Sequence, residues 1–120
     1  MTAGELIAAV DALRPNHYEA SQKLEWLRLL DGKICSELLW AYDDAPDFPA
    51  APYTAASELL APFPYDWELY TSWLFSQIDL HNAEIVKYDQ SMTLFASAWR
   101  QAADWINRTR RPQLGGAWQY

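Results

Sequence analysis

The side chains that could do chemistry are few. The chain holds two histidines, His17 and His81, and a single cysteine, Cys35. His81-Asn82-Ala83-Glu84 places two potential ligands on one helical face. A carboxylate-bridged metal site in a helical bundle wants two Glu-x-x-His motifs and two further Glu, and the sequence contains no Glu-x-x-His. His81 is therefore expected as a satisfied core residue, and His17 falls in a turn. Cys35 lies inside a Leu-rich helix with no His placed to activate it, which reads as a buried, inert thiol. No Gly-rich phosphate loop, Gly-x-Ser-x-Gly or Cys-x-x-Cys is present. Asp43 and Asp44 read as solvated loop charges rather than an acid–base pair. The expectation is a protein that is not an enzyme and uses no metal or cofactor.

What the sequence does offer is aromatic surface. Trp67, Tyr70, Trp73 and Phe75 point in several directions around one helix, too many for all to be core. Trp and Tyr bury much area while keeping a polar handle, and they are enriched at interface hot spots. Excess aromatics without a catalytic set argue for assembly.

The element that must position them is the stretch 66–108, which has neither Gly nor Pro. Trp67, Tyr70, Leu74, Ile78, His81, Ile85, Tyr88, Met92, Phe95, Trp99, Ala102 and Ile106 recur at gaps of three and four, which keeps one helical face apolar. Glu68, Ser72, Asp79, Asn82, Lys87, Gln101 and Asp104 fill the other. One unbroken helix would run about 64 Å at ~1.5 Å per residue, long for a small domain. Asp89 and Ser91 are good N-caps. The expectation is two helices, 66–87 and 90–108, joined by a tight turn, with one continuous helix as the alternative.

Before this stretch, Thr2-Ala3-Gly4-Glu5 forms a capping box, and Leu6, Ile7, Val10 and Leu13 make the apolar face of a first helix ended at Arg14 by Pro15. A second helix is expected from Ser21 to about Trp40. Leu24, Leu27, Leu30, Ile34 and Leu38 form its stripe, widened by Trp26, Leu29 and Cys35. Glu25, Asp31 and Glu37 are expected on its wet side with Lys23, Arg28 and Lys33. Gly32 marks either a close helix crossing or a short break.

Residues 41–65 hold five of the seven prolines, so regular structure should be scarce, apart from one helical turn over 54–60 capped by Thr54. Tyr42, Phe48, Tyr53, Phe63 and Tyr65, with Trp40 at its edge, are too many aromatics for a disordered loop. The segment reads as an ordered arm laid on the domain or on a partner. Pro112 and Gly115-Gly116 end the last helix and leave a strap with Trp118 and Tyr120 at its tip. The fold class is thus all-α: a small bundle of about four helices, residues 1–108 with the arm 41–65, followed by an extended C-terminal tail, 109–120.

The 120 residues are 51% hydrophobic, enough for a core in one domain without disulfides or metal. Charges interrupt every apolar run, and the N-terminus lacks the basic region of a signal peptide, so a soluble protein made in a reducing cytosol is expected. The net charge of −7 is unevenly spread: residues 43–84 carry eight acids and no base, and residues 85–120 carry two acids and five bases. Such a split suits head-to-tail contact between copies, or simple neighbourhood within one chain. Direct binding to a DNA backbone is disfavoured, for want of a basic patch.

Three runs resemble a known family. They are Glu5-Leu6-Ile7 through Val10-Asp11 to Leu13-Arg14-Pro15-Asn16; Lys23-Leu24, Trp26-Leu27 and Leu30-Asp31-Gly32-Lys33-Ile34; and Ile78-Asp79, Asn82, Glu84, Lys87-Tyr88, Ser91, Phe95, Trp105 and Asn107-Arg108-Thr109. Together they cover nearly the whole chain and resemble the small head–tail connector (adaptor, or head-completion) proteins of tailed phages and prophages. The Asn82-Ala83-Glu84 step and the Asp89-Gln90 pair depart from that family's Asn- and Gly-richer pattern, so the resemblance does not place the helix break. It implies a mostly α-helical structural protein of the virion neck, made in the host cytoplasm. It implies a twelve-fold homo-oligomeric ring beneath the portal protein, giving the next neck or tail-completion protein a docking surface. DNA would pass through without specific binding, and no membrane is involved. Asp43, Asp44 and Asp47 become candidates for an acidic lumen. Arg110, Arg111, Leu114, Trp118 and Tyr120 in the strap, with Phe48 and Tyr53 in the arm, become candidates for subunit or portal contact. The alternative is a small soluble helical binding module, such as a prophage regulator or capsid-assembly factor.

Overall fold

The computed structural model describes residues 1–42 and 46–109. These form an all-α fold of four α-helices, α1 (Ala3–Leu13), α2 (Ala20–Lys33), α3 (Asp66–His81) and α4 (Ile85–Thr109), with a π-helical turn, Ile34–Leu39, extending α2. No strand occurs among the described residues.

Helix α1 starts as its sequence demands. The Thr2 hydroxyl accepts from the Glu5 amide at 3.2 Å, and the Glu5 carboxylate accepts from the Thr2 amide at 2.9 Å. Those contacts hold the Glu5 carboxyl below its ordinary range. Leu6, Ile7 and Val10 enter the core, but Leu13 is exposed, because α1 ends there.

In α2 the stripe is carried by Trp26, Leu27 and Leu30, while Leu29 is exposed. The π turn then inserts one residue per turn, so the chain reaches the core with Leu39 after Ile34, and Leu38 is only partly buried. Gly32 is explained by neither a helix crossing nor a break at that residue. The Phe48 ring lies over it: a Cβ there would stand 2.1 Å from Phe48 Cε2.

Helix α3 is the centre, packed against α1, α2 and α4. Leu69, Tyr70, Leu74 and Ile78 face the core, and Ser72 and Ser76 are buried as well. The expected break at 88–90 is wrong, and so is the continuous alternative. The chain turns at Asn82-Ala83-Glu84, and Asp89 lies inside α4. The Glu84 amide donates to the Asp79 carbonyl at 2.9 Å and the Ala83 amide to the Leu80 carbonyl at 3.0 Å, with Ala83 at φ 59°. This is a Schellman stop, built on Ala where Gly is usual. It satisfies carbonyls that would otherwise be orphaned, and a cap at Asp89 or Ser91 is then superfluous.

Residues 46–65 contain no helix. At the expected helical turn there is only a tight turn, in which the Ser57 amide donates to the Thr54 carbonyl at 3.0 Å. The segment is held at the N-terminal end of α1: Ala3 N–H donates to Ser57 O at 2.8 Å, Gly4 N–H to Ala55 O at 3.0 Å, and Leu59 N–H to Met1 O at 3.1 Å.

Candidate interaction surfaces

Two buried carboxylates organise the molecule, and both were expected on wet faces. Asp31 is fully buried. Tyr70 Oη donates to its Oδ1 at 2.5 Å, and Tyr53 Oη to its Oδ2 at 2.5 Å; the Leu60 amide also reaches Oδ2, at 3.3 Å. Tyr70 Oη in turn accepts from the Ala61 amide at 2.8 Å. Burial pushes the Asp31 carboxyl above its ordinary range, against the lowering effect of those donors. Burial, with Asp31 beside them, also pushes both tyrosine hydroxyls up, so they stay protonated and donate.

Asp79 is the second node. Its Oδ2 accepts from Arg14 Nη1 at 2.6 Å and from Ser91 Oγ at 2.9 Å, tying α1, α3 and α4 together. The Arg14 guanidinium also stands 4.3 Å from the Phe75 ring centroid. Lys23, likewise expected in water, is buried, with Nζ 2.8 Å from Asp11 Oδ1 and 3.1 Å from Asn16 Oδ1. His81 is exposed rather than core, with its ring 4.9 Å from that of Trp26.

The arm candidates are engaged with their own chain. Tyr53 reaches Asp31 as above. Phe48 covers Gly32 and lies 5.6 Å from the Arg28 guanidinium, yet keeps half its surface exposed. Asp47 is exposed, and its carbonyl accepts from Cys35 Sγ at 3.6 Å. Burial, then Asp31 and Asp47, push the Cys35 thiol up, away from the reactive thiolate. Asp43, Asp44, Arg110, Arg111, Leu114, Trp118 and Tyr120 lie outside the described residues.

Three apolar surfaces stand out among the described residues, while Leu13, Leu29, Trp40 and Leu94 are exposed elsewhere. At the base of the α3–α4 hairpin, Phe63 is 86% exposed and Trp67 is also exposed. At the hairpin tip, Leu80, Ile85 and Val86 are exposed. Along α4 runs an open groove of about 470 Å³, walled by Met92, Phe95, Trp99 and Arg100 on one side and Lys33 and Glu37 on the other. Its aromatic wall is formed by Phe95 and Trp99, with ring centroids 5.8 Å apart, and Phe95 in turn contacts Trp73 at 5.2 Å. The α4 stripe thus splits: Ala98, Ala102 and Ile106 are buried, while Met92, Phe95 and Trp99 line the groove. The exposed Phe63 could not be found from spacing, since it belongs to no helical stripe.

Among the described residues, no three His, Cys, Asp or Glu side chains gather as a metal site would need, and no helix is long and apolar enough to cross a membrane. No protein-family model, curated protein or solved structure matches the chain.

Proposed function

We propose that the protein is a structural head–tail connector of a tailed phage. In this reading it is not an enzyme. It forms a homo-oligomeric ring, twelve-fold by the family resemblance, under the portal protein in the virion neck and presents a docking surface to the next neck or tail component. The tail 109–120, whose first residue Thr109 proves to be the last of α4, and the arm 41–65 are the segments the resemblance assigns to docking.

One observation supports this reading best. Large apolar side chains are exposed at the hairpin base and the hairpin tip, and a third surface, the α4 groove, is lined by the partly buried Met92, Phe95 and Trp99. Base and tip are about 20 Å apart along α3 at ~1.5 Å per residue. A monomeric soluble protein seldom leaves several such clusters bare. A ring subunit needs them, because a heterologous contact uses two different surfaces and an axial partner needs a third.

Electron microscopy of lysates from a virus lacking the gene, with protein analysis of the particles, tests it. The expected result is heads that package DNA but lose it, beside separate finished tails. Infectious, fully tailed particles would leave a soluble helical binding factor as the better account.

A further inference from the structure

We propose that Phe63 of one copy seats in the Phe95–Trp99 groove of a second copy, so that the chains meet head to tail. The inference deepens the connector reading and rests on it for ring closure only; the contact itself stands on the surfaces.

Phe63 is the most exposed large apolar side chain among the described residues, at 86%. It sits between Pro62 and Pro64, whose rings fix φ and narrow the freedom lost on docking. Trp67 follows on the first turn of α3, half-exposed, beside the exposed Glu68; Glu58, also exposed, is paired with the Met1 ammonium at 3.3 Å. This is the segment that holds acids and no base. The groove is its complement. Phe95 and Trp99, in contact with ring centroids 5.8 Å apart, offer an aromatic wall on which a third ring can pack, Ala96 lines the groove without adding bulk, and Lys33 and Arg100 supply two positive charges against the one of Glu37. An apolar knob with Glu68 at its edge therefore meets a slot, the aromatic groove with a mainly basic rim. Knob and slot are different parts of one molecule, so one contact leaves a free knob at one end of the pair and a free slot at the other. Further copies add until the rotation closes. The hairpin tip stays available for another partner.

The test uses two variants of the full chain: Phe63→Asp, which spoils only the knob, and Ala96→Arg, which fills only the slot. Both sites are exposed, and Arg is a good helix former, so both variants should keep wild-type helicity by circular dichroism. Sedimentation should show wild-type self-association that each variant alone weakens about ten-fold or more. An equimolar mixture should give a one-to-one dimer that does not grow, because just one intact knob faces one intact slot. Wild-type protein that stays monomeric at millimolar concentration, or a mixture no more associated than its components, would overturn the proposal. Normal tailed particles without the gene, alongside a positive mixture, would remove the connector reading and leave the contact. Tailless heads with a negative mixture would do the reverse.

Discussion

Asp31 shows what a single carboxylate can do when it leaves the surface. Its three donors come from Tyr53, Leu60 and Tyr70, so one side chain of α2 fixes both the arm and α3. The cost is electrostatic, and it has a sign. The folded-state pKa is raised. Between the ordinary aspartate value of about 3.9 and that raised value, the folded protein keeps a proton that the unfolded chain has released. The stability this confers is full below the unfolded pKa and is lost as pH rises through the folded one. Asp31→Asn cannot titrate. The stability of wild type minus that of the variant, from urea unfolding at a series of pH values, should therefore fall as pH rises from about 4. Glu5, Glu25 and Glu84, held low by their own partners, act oppositely but cancel in the difference. A difference that rises over that range would mean that the donors outweigh burial. Half of this arrangement was legible. Position 31 follows Leu27 by four and precedes Ile34 by three, so periodicity alone places it on the buried face. Residue type overruled spacing, because an acid is rarely buried without partners. Its tyrosine partners lie 22 and 39 residues away, where no local pattern reaches.

At the scale of elements, two small residues decide where helices turn and what lies on them. Ala83 occupies the left-handed position of the stop between α3 and α4. A Cβ there is strained by about 1–2 kcal/mol, part of which glycine would return as unfolded-state entropy. Ala83→Gly should raise stability by about 0.5–1 kcal/mol in denaturant unfolding. A loss would show that the turn is not left-handed at that residue. Gly in place of Ala83 would also have made the break readable; without it, Asp89 and Ser91 were the stronger local signals, and hydrogen bonds spanning 79–84 outcompeted them. Gly32 is the opposite case. Ala in a helix interior is ordinarily worth about 1 kcal/mol over Gly, but here the new methyl would collide with Phe48. Gly32→Ala should lower stability by about 1 kcal/mol or more. The same change in a Phe48→Ala background should raise it by about 1 kcal/mol. A sign that does not change between backgrounds would mean that Phe48 does not rest on α2.

For the whole molecule, the question is what joins the pieces. Hydrophobic periodicity foretold the four helices and much of the core in α1, α2 and α3, while the expected stripe of α4 is buried only at Ala102 and Ile106. It could not foretell how α3 is surrounded, because Ser72, Ser76 and Asp79 look like a wet face until α4 folds over them. The Asp79 node is where that closure is fastened. Arg14 comes from the end of α1 and Ser91 from α4, and both donate to one oxygen of a carboxylate in α3. Removing one partner of a buried charge costs more than the pair is worth, because the remaining charge stays desolvated. Arg14→Ala should therefore destabilise by about 3 kcal/mol in urea unfolding. Asp79→Asn in the same background removes the stranded charge and keeps an oxygen for Ser91, so the double variant should recover at least half of that loss. If the two losses simply added, Arg14 would be holding α1 through its packing on Phe75 rather than through the ion pair. If the double variant recovers, the node is an electrostatic clasp that adds to the apolar packing of α1 on the α3–α4 hairpin.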